Sequence, residues 1–73
     1  MKDEAKSKFL SRRDYSLNRA VENLEHNIAE IVDHEMYAKE FSEFATRLEA
    51  CLRDLKKIRA DIGDKADELG GAA

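Results

Sequence analysis

The chain has no proline and no tryptophan, only one cysteine and three glycines in 73 residues. Each shortage excludes something. Cys51 has no partner for an internal disulfide, which agrees with a reducing compartment. No glycine-rich loop is present to cradle a phosphate. No apolar run approaches the roughly 18 residues of a membrane span. The opening MKDEAKSKFL is charged without the apolar stretch of a secretory signal, so the mature chain is expected in a cytoplasm. Positive charge is not in excess either: the formal net charge is −3 with both signs interspersed, which argues against a general binder of nucleic acid or membrane surfaces.

What is present is charge and aliphatic side chains. Charged residues make up 40% and apolar ones 42% of the chain, the Ala/Glu/Lys/Leu/Arg-rich balance of long helices and coiled coils. The apolar residues are too regularly spaced for a disordered segment. Seventy-three residues make a single small helical domain, and a chain this short buries a small share of its surface, so a partner is expected from length alone.

Ser11 reads as an N-cap with Asp14 reaching back from the third helical position and Leu10 stapling to Tyr15. After it, Leu17, Val21, Leu24, Ile28 and Ile31 recur at helical spacing with Ala20 and Val32 beside them. A second series follows: Phe41, Phe44, Leu48, Cys51, Leu55, Ile58 and Ile62, flanked by Ala45 and Leu52. At about 100° per residue on one straight helix, the second stripe points roughly 180° from the first. Turning the chain in VDHEMYAKEF, residues 32–41, lets both stripes face each other and buries more apolar surface than a straight helix does. That stretch has neither glycine nor proline; Asp33 is the candidate cap of the second helix, Val32 a candidate staple to Tyr37, and Asp33 or His34 the residue expected to leave helical geometry. The expected fold is all-α, an antiparallel two-helix hairpin with helices at about 12–33 and 38–62. Residues 1–10 and 70–73 are expected as flexible ends, and Gly63 as a C-cap or an irregularity. Two helices packed only on each other leave half of each stripe wet, so a four-helix bundle is expected, by dimerisation or with a helical partner.

No constellation for catalysis emerges, and no enzyme activity, cofactor or metal is expected. His34-Glu35 begins like the zinc-protease motif, but Ala38 stands where its second histidine belongs. Glu22, His26, Glu30 and His34 form an i, i+4 ladder opposite Leu24, Ile28 and Ile31, hence on a solvated polar face. Cys51 lies on the apolar stripe and reads as a small packing residue. Arg47, Arg53, Lys56, Lys57 and Arg59 make the second helix locally basic. A hairpin dimer that binds nucleic acid through them is one alternative, and a continuous coiled-coil scaffold another. Glu43 and Glu49, each four residues before an arginine, point instead to solvated helix-surface pairs, so nucleic acid is not the expected partner.

The segment Phe41-Ser-Glu-Phe-Ala-Thr-Arg-Leu48-Glu49-Ala-Cys-Leu52, with Leu55 and Ile58 following, resembles the second helix of the small cytoplasmic E-type co-chaperones of bacterial type III secretion. There a large apolar residue precedes a Leu-Glu pair by seven, with aliphatic residues after it at helical spacing. The match spans about twenty residues; at the turn, where those proteins often have glycine or proline, this chain has His34-Glu35-Met36. The resemblance implies pairing with a second small helical chaperone, the two together keeping a needle subunit soluble. Phe41, Phe44, Leu48, Leu52 and Leu55 would then be partner contacts, with the two phenylalanines as anchors. The function expected is thus a helical protein–protein interaction module that shields or docks an amphipathic helical partner, another small protein or a second copy.

Overall fold

A computed structural model describes residues 2–71. Two helices of 29 residues each, α1 (Glu4–Val32) and α2 (Ser42–Gly70), pack side by side as an antiparallel hairpin measuring 55 × 15 × 15 Å. The chain therefore turns in the stretch between the two apolar stripes, and a continuous helix through His34 is ruled out.

Helix limits differ from those expected. α1 begins at Glu4, not near residue 12, because Asp3 is the cap: its side chain accepts from the Lys6 N–H at 3.1 Å, and Glu4 adds negative charge to the first turn. Ser11 lies inside the helix, and Tyr15 is exposed rather than stapled to Leu10. The polar look of residues 4–10 conceals Ser7 and Leu10, which continue the half-buried stripe toward the chain start.

Asp33 closes α1 with its N–H on the Ala29 carbonyl, and so does not cap α2. Residues 33–41 form the turn, and the cap inside it is His34. Its Nδ1 accepts from the backbone N–H groups of Met36 at 3.2 Å and Tyr37 at 3.1 Å. α2 starts at Ser42, four residues later than expected, behind Phe41, which offers no side-chain cap bond.

α2 runs through Gly63 and ends at Gly70, with Gly71 at φ 71°, the left-handed conformation that glycine adopts freely. The last two turns are held by α1: the Asp3 N–H donates to the Leu69 carbonyl at 2.7 Å and the Ser7 hydroxyl to the Ala66 carbonyl at 2.7 Å. These tertiary bonds and the burial of Ala66 outweigh the roughly 1 kcal/mol helix penalty of Gly63. Of the tail expected to be flexible, Gly70 and Gly71 are the helix end and its cap, whereas Ala72 and Ala73, like Met1 at the other end, lie outside the described residues.

Each helix contributes two rows with a seven-residue repeat. One row, the seam, is Ser7, Asp14, Val21 and Ile28 on α1, and Ala45, Leu52, Arg59 and Ala66 on α2. It holds all three buried residues: Val21, Ala45 and Ala66, at 5%, 3% and 4% exposure. The other is an aliphatic row, Leu10, Leu17, Leu24 and Ile31 on α1 facing Leu48, Leu55, Ile62 and Leu69 on α2, and every member is only half-buried. A strict seven-residue repeat is the signature of a coiled coil, whose two helices wind around each other with slight supercoil.

Two charged residues interrupt the seam, and they meet. Arg59 Nε donates to Asp14 Oδ1 at 3.0 Å, both side chains about one-third exposed. The pair satisfies both ions, and sliding either helix by one turn would strand them, so it fixes the register of the hairpin.

Candidate functional site

Small residues at the seam let the backbones approach closely on one side. A Cβ built at Gly70 would lie 2.9 Å from Ser7 Oγ. On this same side Lys56 reaches Glu25 at 3.4 Å, closing the hairpin edge with charge. The aliphatic row, by contrast, lies toward the opposite side, where no other described residue covers its exposed half.

A third row extends that open side. Phe44, Cys51 and Ile58 repeat every seven residues, each four positions before a member of the aliphatic row, and so stand beside Leu48, Leu55 and Ile62 on the helix surface. All three are exposed, Phe44 by 51% and Ile58 by 52%. Phe44, Arg47, Leu48 and Cys51 line a shallow open depression of about 420 Å³. Toward the turn the apolar surface continues as an aromatic ladder. The rings of His34 and Tyr37 stack at 4.7 Å, Tyr37 and Phe41 lie 5.8 Å apart, and Phe41 and Phe44 6.1 Å apart. Such spacings suit attractive ring pairs, which hold the exposed aromatics in place before any partner arrives.

The five residues singled out from sequence divide into two groups. Phe41 and Phe44 are exposed on this face, whereas Leu48, Leu52 and Leu55 are half-buried against α1, with Leu52 in the seam itself. Sequence reasoning set Ala45 only beside its stripe and passed over Ala66, both of which the helices bury, because an alanine barely marks an apolar stripe. It also missed Tyr37 as part of the aromatic ladder and His34 as a turn cap.

Cys51 is exposed in the third row rather than packed. Of the basic residues on α2, Lys56 and Arg59 are drawn into ion pairs with Glu25 and Asp14. In the histidine ladder, His26 Nε2 lies 3.4 Å from Glu30 with both groups exposed. Among the described residues, no three His, Cys, Asp or Glu side chains converge as metal ligands, and no helix is long and apolar enough to cross a membrane. Comparison of the chain with protein-family models, curated proteins and solved structures finds no match.

Proposed function

We propose that the chain is a protein–protein interaction module, of chaperone or assembly-subunit type, which docks an amphipathic helical surface onto its open face. The observation that carries this reading is the unbroken apolar strip running from Tyr37 and Phe41 through the Phe44, Cys51 and Ile58 row. Surface area supports it. The hairpin exposes 5973 Å² at 8.3 kDa, against about 4,600 Å² for a compact monomer of that mass. Contiguous apolar surface of this kind marks interaction sites, and a helix laid in a groove between two others is a recurrent way to cover it.

The resemblance of the Phe41–Leu52 segment to type III secretion co-chaperones supports a more specific form. There the docked surface belongs to a second small helical chaperone in the cytoplasm, and the pair shields the apolar stripe of a needle subunit. The test is affinity purification of tagged protein at native expression level, with nuclease treatment and Phe44→Asp as control. A stoichiometric small helical protein, lost in the variant and resistant to nuclease, is the expected result. Recovery of nuclease-sensitive material alone, unaffected by Phe44→Asp, would reject the reading in favour of nucleic-acid binding through Arg47, Arg53 and Lys57.

A further inference from the structure

The open face is apolar along its middle, but its two long edges carry charge, and the charges are sorted by height. On the α1 edge, Lys6 and Arg13 stand near the chain ends and Glu30 near the turn; on the α2 edge, Arg47 stands near the turn and Asp61 and Glu68, with Lys65 between them, near the chain ends. The pairing of Ser7 with Ala66 and of Asp14 with Arg59 fixes which heights coincide. Lys6 is then level with Glu68 and Arg13 with Asp61, each cation opposite an anion, while Arg47 stands about one helical turn from the height of Glu30. Within one hairpin these partners cannot meet, because they occupy its two outer edges. Lys6 contacts Asp3 at 3.6 Å, Glu30 contacts His26, Glu68 contacts Lys65 at 3.4 Å and Arg13 lies over the Phe9 ring.

We infer that the open face is occupied by a second copy of this chain. The two copies are related by a two-fold axis parallel to the helices, so that α1 of each lies over α2 of the other and both turns sit at one end. This rests on the reading of the face as a protein-docking surface. In that arrangement the Lys6–Glu68 and Arg13–Asp61 matches form, and symmetry makes each of them twice. Every adjacent helix pair in the resulting four-helix bundle is antiparallel, with opposed dipoles. Size agrees as well: one side of a 55 × 15 Å body projects about 800 Å², the area each partner buries in a standard interface. Placing the turns at opposite ends instead sets α1 on α1 and α2 on α2. Symmetry about the helix midpoints then puts Arg13 against the neutral Asn23 and Arg47 against Lys65, so both matches are lost and only Lys6 against Glu30 forms in their place.

The test combines sedimentation equilibrium with a distance measurement. Wild-type protein is expected as a dimer at about 100 µM, loosened by salt because the edges are solvated. Arg13→Asp or Asp61→Arg alone should raise the dissociation constant about 5- to 30-fold, since each puts like charges into two symmetric pairs. The double variant Arg13→Asp/Asp61→Arg should recover most of the loss. Spin labels at Lys39→Cys, in a Cys51→Ser background, should lie within about 30 Å of each other, given helix spacings of 8–10 Å in a bundle. Labels separated by about the 55 Å length of the hairpin, or a double variant no tighter than the singles, would overturn the arrangement. A monomer at 100 µM would overturn the second copy altogether. The docking reading then stands if Phe44→Asp still abolishes capture of a helical protein, and falls with the dimer if it does not.

Discussion

The two long sides of the hairpin share one seven-residue rhythm but use it oppositely. On the seam side the repeat carries alanine, valine and serine beside Ile28, Leu52 and the Asp14–Arg59 pair, and at the chain ends, where it is serine and alanine, the backbones close until a single Cβ at Gly70 would touch Ser7. On the open side the same rhythm carries leucine, isoleucine and phenylalanine, and these stay half or wholly exposed. Periodicity alone thus marks which residues lie near the partner helix, while side-chain volume decides which side closes. The side that holds the small residues packs within the chain; the side built of large ones alone is left half open.

Substitutions that confuse the two sides test this contrast. The largest effect is expected at Val21, 5% exposed in the middle of the seam. Val21→Asp buries an unpaired carboxylate and should destabilise by about 3 kcal/mol or more, enough to abolish the far-UV helical signal of so small a fold. Ile58→Ser on the open side should change intrachain stability by less than about 0.5 kcal/mol. Equal losses at the two positions, measured by thermal unfolding, would mean that the sides are not distinct.

Enlarging the seam comes next. Ala66→Leu forces a large side chain between close backbones and breaks the approach that lets the Ser7 hydroxyl reach the Ala66 carbonyl. A loss of about 1–3 kcal/mol is expected in urea unfolding. The polar interruption of the seam should respond more mildly. Asp14→Ala leaves Arg59 without its partner and should cost about 1–2 kcal/mol, reduced from the fully buried case because both groups are one-third exposed. Asp14→Leu/Arg59→Leu together should restore or exceed wild-type stability while loosening register, seen as extra cross-peaks in amide NMR spectra.

The smallest effects separate two glycines on one helix. A Cβ at Gly63 meets nothing within 4 Å, so Gly63→Ala should stabilise by about 0.5–1 kcal/mol through helix propensity. Gly70→Ala gains the same propensity but displaces the Ser7 hydroxyl, so its midpoint of unfolding should stay level or fall. A rise at Gly70 equal to that at Gly63 would show that the backbones do not approach as closely at that end.

Much of the fold was legible in the sequence because the physics that sets it is local and repetitive. Helical spacing of aliphatic residues gave both helices, and the half-turn offset between the two stripes favoured a reversal between residues 32 and 41 over a continuous helix. Helix ends were less legible. Asp3 was overlooked as a cap because the segment after it looks polar, and the α2 end was placed at Gly63 because glycine usually stops a helix. In each case contacts with the other helix, Asp3 to Leu69 and Ser7 to Ala66, extend the element beyond where its own sequence signals stop.

The candidate site was legible in part. Large apolar residues announced themselves, so Phe41 and Phe44 were found, but the stripe drawn through them ran along the open side rather than through the seam. Ala45 and Ala66 gave no comparable signal, since a methyl group adds little to an apolar pattern even when it lies at the closest approach of two backbones.

The sequence by itself determined two amphipathic helices and favoured their reversal, because composition and period act on neighbours within a few residues. Only the tertiary structure decided which of the two apolar rows closes. That choice depends on how near two backbones separated by some forty to sixty positions can come, and so on side-chain volumes that no single helix compares. The side that remains open follows from that choice.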